Sequence, residues 1–181
     1  ESDEPYKKAQ KAFVLSCAAY SLVCHLFQIK DRHNGNILLD TEGHLVHIDF
    51  GFLLGTAPGG SFSIETCPFK LTEEMVEVMG GLDSEGFRDF VVAFTCGFLI
   101  LQQEMERVIS LVSVMVHSSS FPCFDGQKED EVVEKLKRRF RHDLTWAETI
   151  QHCLDLVKSS YNASGAWYYD KFQWYSNGII P

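Results

Sequence analysis

The chain has 181 residues, enough for one domain that buries roughly 70% of the surface its unfolded form exposes, and it carries a formal net charge of -9. That balance excludes wholesale nucleic-acid binding, which needs a basic surface, and the sequence has no unbroken apolar run of about 18 residues to read as a membrane span. Cys17, Cys24, Cys67, Cys96, Cys123 and Cys153 lie far apart without a CxxC pair, which excludes a small secreted disulfide framework and points to reduced, cytosolic thiols.

Pro5, after Asp3 and Glu4, marks a helix start, and Phe13, Cys17, Tyr20, Cys24 and Phe27 recur at helical spacing, predicting a long helix from about Tyr6 to Gln28. "NILL", a turn at Glu42-Gly43 and "HLVHI" predict two short strands. Gly51 to Lys70 has no period and reads as a loop. Thr72 is a predicted N-cap, with Glu73 and Glu74 in the first turn and Gly80-Gly81 as the stop. Helices follow over about Ser84 to Gln102, Glu104 to Ser118 and Asp130 to Arg139. Thr145 to Glu148 is a capping box before a helix ending near Tyr161, and Ser164 to Asn177 forms a last, aromatic one. "KLKRRFRH", after the acidic "EDEVVE", suits a solvated helix end that favours the dipole.

The chemistry concentrates in "DRHNGNILLD", Asp31 to Asp40, and "HLVHIDFG", His44 to Gly51. On its own, Asn34-Gly35 is a hairpin dipeptide that can join "LFQIK" to "NILL". The spacing carries a second reading: Asp31 and Asn36 share a loop, and Asp49 follows a strand in Asp-Phe-Gly. A protein-kinase core needs a loop carboxylate near the attacking hydroxyl, an Asn on one Mg²⁺ and a second Mg²⁺ ligand in Asp-Phe-Gly. The triplet here is Asp31-Arg32-His33, the reverse of His-Arg-Asp.

His47 and Asp49, two apart on a strand, also match two ligands of a facial iron triad, with His117, His142 or His152 as the third. Such sites sit in all-β jelly rolls, against the helical pattern after Thr72. The preferred reading makes His47 an inward strand residue hydrogen-bonded to a neighbour, and His44 a solvent-facing one.

"DRHNGNILLD" together with "HIDFGF" resembles the phosphatidylinositol 3-/4-kinase superfamily. Within it, "NGN", Phe52 and "FKLTEEMVEVMGG" look like the type III phosphatidylinositol 4-kinases, and "ETCPFKLT" and "FPCF" point to their beta form. The resemblance implies a mainly α (α+β) fold, the C-terminal lobe of a protein-kinase-like lipid kinase, with helices around short β-hairpins. It spans residues 1–181, with a catalytic loop at about 31–39, an activation loop at about 49–72 and a helical region over 73–181.

The resemblance further implies Asp31 and His33 as catalytic residues, and Asn36 and Asp49 as ligands of Mg²⁺ carrying ATP. His33 then accepts the proton or stabilises the transition state, with Asp31 orienting it, and the residue types alone leave those roles open. The expected product is phosphatidylinositol 4-phosphate, made on intracellular membranes such as the Golgi by a cytoplasmic, peripherally bound enzyme. The alternative is a pseudokinase or regulatory scaffold.

A kinase also needs a Gly-rich phosphate loop and a Lys, and no G-x-G-x-x-G occurs here. The sequence is therefore expected to lack the N-lobe and upstream domains, to be inactive alone and to self-associate through the uncovered face. Between Gly51 and Thr72 the one basic residue is Lys70, a match to a headgroup with a single phosphodiester, so Lys70 is the expected lipid-phosphate contact. The aromatics Trp167, Tyr168, Tyr169, Phe172, Trp174 and Tyr175 fit three roles: membrane docking, closing the site, or packing as core.

Overall fold

The computed structural model describes residues 3–60, 63, 65, 67–119, 121, 124 and 127–180. Ser61, Phe62, Ile64 and Thr66 of the expected activation loop, and Pro122 and Cys123 of "FPCF", lie outside the described residues. The expected fold class holds: seven helices surround one two-stranded antiparallel hairpin among the described residues.

Helix α1, Glu4–Phe27, begins with Pro5 in its first turn and runs through the centre, burying Phe13, Val14, Cys17, Ala18, Leu22, Cys24 and Leu26. It is long and apolar enough to cross a membrane by length and composition, a property the search for an unbroken apolar run missed. Half of that stretch is buried inside the protein, where it packs against α3, Glu85–Gln103. The two helices meet at Gly97, where a Cβ would stand 2.8 Å from Leu22 Cδ2, so a side chain there would displace the Leu22 side chain. Phe90, Phe94 and Phe98 recur every four residues on α3 and are fully buried; removing one such ring costs about 3–5 kcal/mol.

Strands β1, Ile37–Leu39, and β2, Leu45–His47, pair antiparallel with Leu38 opposite Val46. The turn between them uses Gly43 at φ +95°, with its Cα tucked so close to the Ala9 carbonyl of α1 that a Cβ would stand 2.4 Å from that oxygen. Asn34-Gly35 does not join two strands. Leu26 and Phe27 stay in α1, and Asn34–Asn36 forms a 3₁₀ turn.

Helix α2, Glu73–Val78, is capped by the Thr72 hydroxyl, which accepts the Met75 N–H. Helices α4, Met105–Ser118, α5, Glu129–Arg139, and α6, Trp146–Ser160, follow, the last with the Thr145–Glu148 capping box formed in both directions. At the end of α6, Tyr161 bridges to Leu71, and the Asn162 N–H donates to the Leu71 carbonyl at 2.9 Å. That contact ties the chain after the expected activation loop to α7, Ser164–Asn177, which packs against the Asp31–Asn36 loop.

Candidate active site

The expected catalytic loop starts where α1 stops: Gln28 turns left-handed, and Arg139 of α5 donates to the His25 carbonyl, satisfying a helix end with no backbone partner of its own. Lys30 N–H then donates to the Phe52 carbonyl at 2.9 Å, and Leu54 N–H to Phe27 at 2.7 Å, so the loop runs beside the segment after Asp-Phe-Gly. Asp31 and Asp49 both hold positive φ, 65° and 58°.

Arg32 joins the two. Its buried guanidinium donates from Nε to the Lys30 carbonyl at 3.0 Å, from Nη1 to Ile48 at 2.9 Å and from Nη2 to the Asp49 carbonyl, and it lies over the Phe50 ring. A buried cation needs such donors filled, and here filling them pins the backbone of Asp49 to the catalytic loop.

His33 is buried, and its Nδ1 accepts the Gly35 N–H at 3.1 Å. Nε2 lies 3.5 Å from Asp31 Oδ1, an acceptor, and 3.2 Å from the Asn36 Nδ2 donor; with Nδ1 taken by the Gly35 N–H, the proton of the neutral ring is assigned to Nε2, toward Asp31. Burial lowers the His33 pKa below its ordinary 6.5, with Asp31 opposing, so the neutral ring dominates at pH 7. Asn36 Nδ2 donates to the Asp31 carbonyl at 2.8 Å, and Ile48 N–H to the Asn36 carbonyl at 3.0 Å, which sets Asn36 beside the residue preceding Asp49.

Strand alternation ends at His47. The His47 ring is buried, stacks on Tyr20 at 4.3 Å and meets Cys24 Sγ at 3.6 Å, whereas the left-handed turn at Asp49 sends that residue to solvent. His47 is the inward strand residue of the preferred reading. The facial iron triad fails because its two ligands face apart, and among the described residues no three His, Cys, Asp or Glu side chains gather as a metal site. His44 is exposed and pairs with Asp40 at 3.0 Å.

Lys70 differs from its sequence reading. Its ammonium lies 2.7 and 2.8 Å from the Asp170 carboxylate oxygens and 3.2 Å from Asn34 Oδ1, with 3% of the side chain exposed. The loop cation expected to meet a lipid phosphate is enclosed and neutralised by α7. A cavity of about 610 Å³ beside it is lined by Glu73, Glu74 and Asp170 against Lys171, an acidic balance that does not suit a phosphate.

Tyr169, for which closing the site was one of three roles open from the sequence, and Gln173, which sequence reasoning missed, are both buried on α7 and both donate to Asp31 Oδ1. Their helical spacing was visible; their target was not. The other rings divide by face: Trp167, Tyr168, Phe172, Trp174 and Tyr175 are exposed, and Lys171 sits over Trp167 and Trp174.

The loop carrying Asp31, His33 and Asn36 is fixed by a buried Arg to the Asp of Asp-Phe-Gly, and the chain belongs to the phosphatidylinositol 3- and 4-kinase family, whose model matches residues 1–124. Within that family it is similar to a phosphatidylinositol 4-kinase of Dictyostelium discoideum, 45% identical over 96% of the chain and 14% of that protein. It is also similar to phosphatidylinositol 4-kinase beta 1 of Arabidopsis thaliana, 46% identical over 99% of the chain and 16% of the relative. Phosphatidylinositol 4-kinase beta of Danio rerio is 44% identical over 98% of the chain and 21% of the relative. The chain thus spans less than a quarter of the length of these relatives, and the similarity continues past the family model through α5, α6 and α7.

Proposed function

We propose that this chain is part of the catalytic domain of a phosphatidylinositol 4-kinase, which transfers the γ-phosphoryl group of ATP to an inositol hydroxyl of phosphatidylinositol in intracellular membranes. The observation that carries the reading is the Arg32 guanidinium, which holds the Asp31–Asn36 loop and Asp49 together as one unit.

Asn36 and Asp49 fit a Mg²⁺ ion. They offer hard oxygens, a side-chain carbonyl and an exposed carboxylate, and Mg²⁺ keeps several waters and takes few protein ligands. When bound, Mg²⁺ neutralises charge on the phosphates. Beside these ligands, Leu38 lies opposite Val46 on the hairpin, and Leu38 and the nearby Ile48 are 47% and 40% exposed, apolar surface suited to a purine ring.

The His33 tautomer supports one of the two roles left open by the sequence. With Nδ1 accepting from Gly35, Nε2–H is a donor, so His33 hydrogen-bonds the transferring phosphoryl oxygens and Asp31 receives the hydroxyl proton. The test is incubation of the full-length kinase with labelled Mg-ATP and vesicles of phosphatidylinositol, phosphatidylinositol 4-phosphate or neither, followed by deacylation and chromatography. Label at the inositol 4-position of phosphatidylinositol alone is the expected result. Label in no lipid supports a regulatory scaffold instead.

A further inference from the structure

The backbone at Asp31 is left-handed, a conformation that residues with a Cβ adopt less readily, and it is held from outside the loop. Its N–H donates to Glu65 Oε2 at 2.6 Å, and the next N–H, of Arg32, to Glu65 Oε1 at 3.4 Å. Glu65 belongs to the expected activation loop, 34 residues downstream of Asp31, and is only 7% exposed. Burial raises its carboxyl pKa, while the two N–H donors and the charges of Lys30 and Arg32 pull it back. A second stitch joins the same segments: Lys30 Nζ donates to the Cys67 carbonyl at 2.9 Å.

We propose that Glu65 is a positioning residue of the active site, one carboxylate that clamps the backbone turn at Asp31-Arg32 and so sets where Asp31 and, through Arg32, Asp49 are held. The linkage is continuous. Glu65 fixes the turn, the turn aims the Arg32 guanidinium, and the guanidinium holds the Ile48 and Asp49 carbonyls. A carboxylate buried without partners is strongly disfavoured, so its place is explained by the two N–H groups it receives. The activation loop thereby does more than border the substrate: its position is transmitted to the catalytic and metal-binding carboxylates together. For its kinetic consequence this inference rests on the kinase reading above.

The experiment uses the full-length kinase with Glu65→Gln and Glu65→Asp. The amide of Gln sets an NH₂ group against a backbone N–H, and Asp keeps the charge but falls short by one methylene. Displacing a reacting group by about 1 Å costs on the order of 100-fold, so Glu65→Gln should lower kcat about 10- to 100-fold, with KM for ATP and for phosphatidylinositol within about twofold of the parent. Glu65→Asp should fall between the two. By hydrogen exchange, amides 30–33 should open at least about tenfold faster in Glu65→Gln, with α3 unchanged.

A kcat within about twofold of the parent, or unchanged exchange at 30–33, overturns the clamp. If Glu65→Gln does not fold, Glu65→Asp decides by the same two readouts. If the parent transfers no phosphate, the kinase reading fails by itself and the exchange of amides 30–33 still decides the clamp.

Discussion

The Tyr169 hydroxyl, on the last helix, donates a hydrogen bond to Asp31 Oδ1 in the catalytic loop, across 138 residues of sequence. Burial and the neighbouring Asp31 push the Tyr169 pKa up, so the phenol remains a donor at any ordinary pH. Hydrogen bonds to charged groups contribute about 1.5–3 kcal/mol. Tyr169→Phe in the full-length kinase should therefore speed amide exchange in α7 about 10- to 150-fold, with exchange in α3 unaffected. Unchanged exchange in α7 would mean that this bond does not hold the helix.

The Lys70–Asp170 pair makes a second, separable anchor for α7. Removing one partner of a buried pair strands the other and costs about 3–5 kcal/mol, whereas replacing both with apolar residues is often near neutral. Lys70→Ala should loosen α7, and Lys70→Met combined with Asp170→Leu should restore it, with kcat/KM for phosphatidylinositol within about threefold of the parent. If the double variant instead stays 10- to 150-fold down, about 1.5–3 kcal/mol, Lys70 meets the lipid phosphate, as the sequence alone suggested.

His33 gives a pH prediction. Its folded pKa lies below 6.5, and the proton gained beneath that value goes to Nδ1, against the Gly35 N–H. The His33-dependent limb of kcat should be flat from pH 8 to 6.5 and fall only at lower pH. His33→Gln should lower kcat about 10²- to 10³-fold and erase that limb. A limb centred above pH 6.5 that disappears in His33→Gln contradicts the neutral-donor assignment.

Two other histidines govern stability. Burial lowers His25 to about 3 and His47 to about 4, while in the unfolded chain each titrates near 6.5. Below 6.5 the unfolded state gains protons that the folded state refuses, so their contribution is full above 6.5 and is lost as pH falls toward 4. Between pH 7 and 5 each costs about 2 kcal/mol. Pulse proteolysis in urea should register this loss, and His47→Gln should remove about half of it. A profile unchanged in His47→Gln would contradict the assignment.

Much of this was legible locally. Caps at Thr72 and Thr145, the apolar period of α1 and the Glu42-Gly43 turn are short-range patterns, and each matches an observed element. The alternatives that the structure sets aside share a cause, backbone conformation. Asn34-Gly35 has hairpin composition, yet α1 holds Leu26 and Phe27, and the alternation that aligned His47 with Asp49 ends at a left-handed turn. The partners of Glu65, Asp170 and Tyr169 were invisible because they lie 34, 100 and 138 residues away, where no periodicity or spacing rule reaches. Lys70 was noticed for its charge; its neutralising partner belongs to a helix noticed only for its rings.

The most direct measurement compares the full-length kinase with its Asp49→Ala variant, reading transfer of label from Mg-ATP to phosphatidylinositol vesicles alongside hydrogen exchange in α1 and α3. Asp49 is exposed, and among the described residues its carboxylate accepts only the nearby Gly51 N–H, so the fold should survive the substitution. The account predicts labelled lipid from the parent, none above the protein-free background from Asp49→Ala, and matching exchange in both helices. Near-parental labelling by a folded Asp49→Ala enzyme would contradict it.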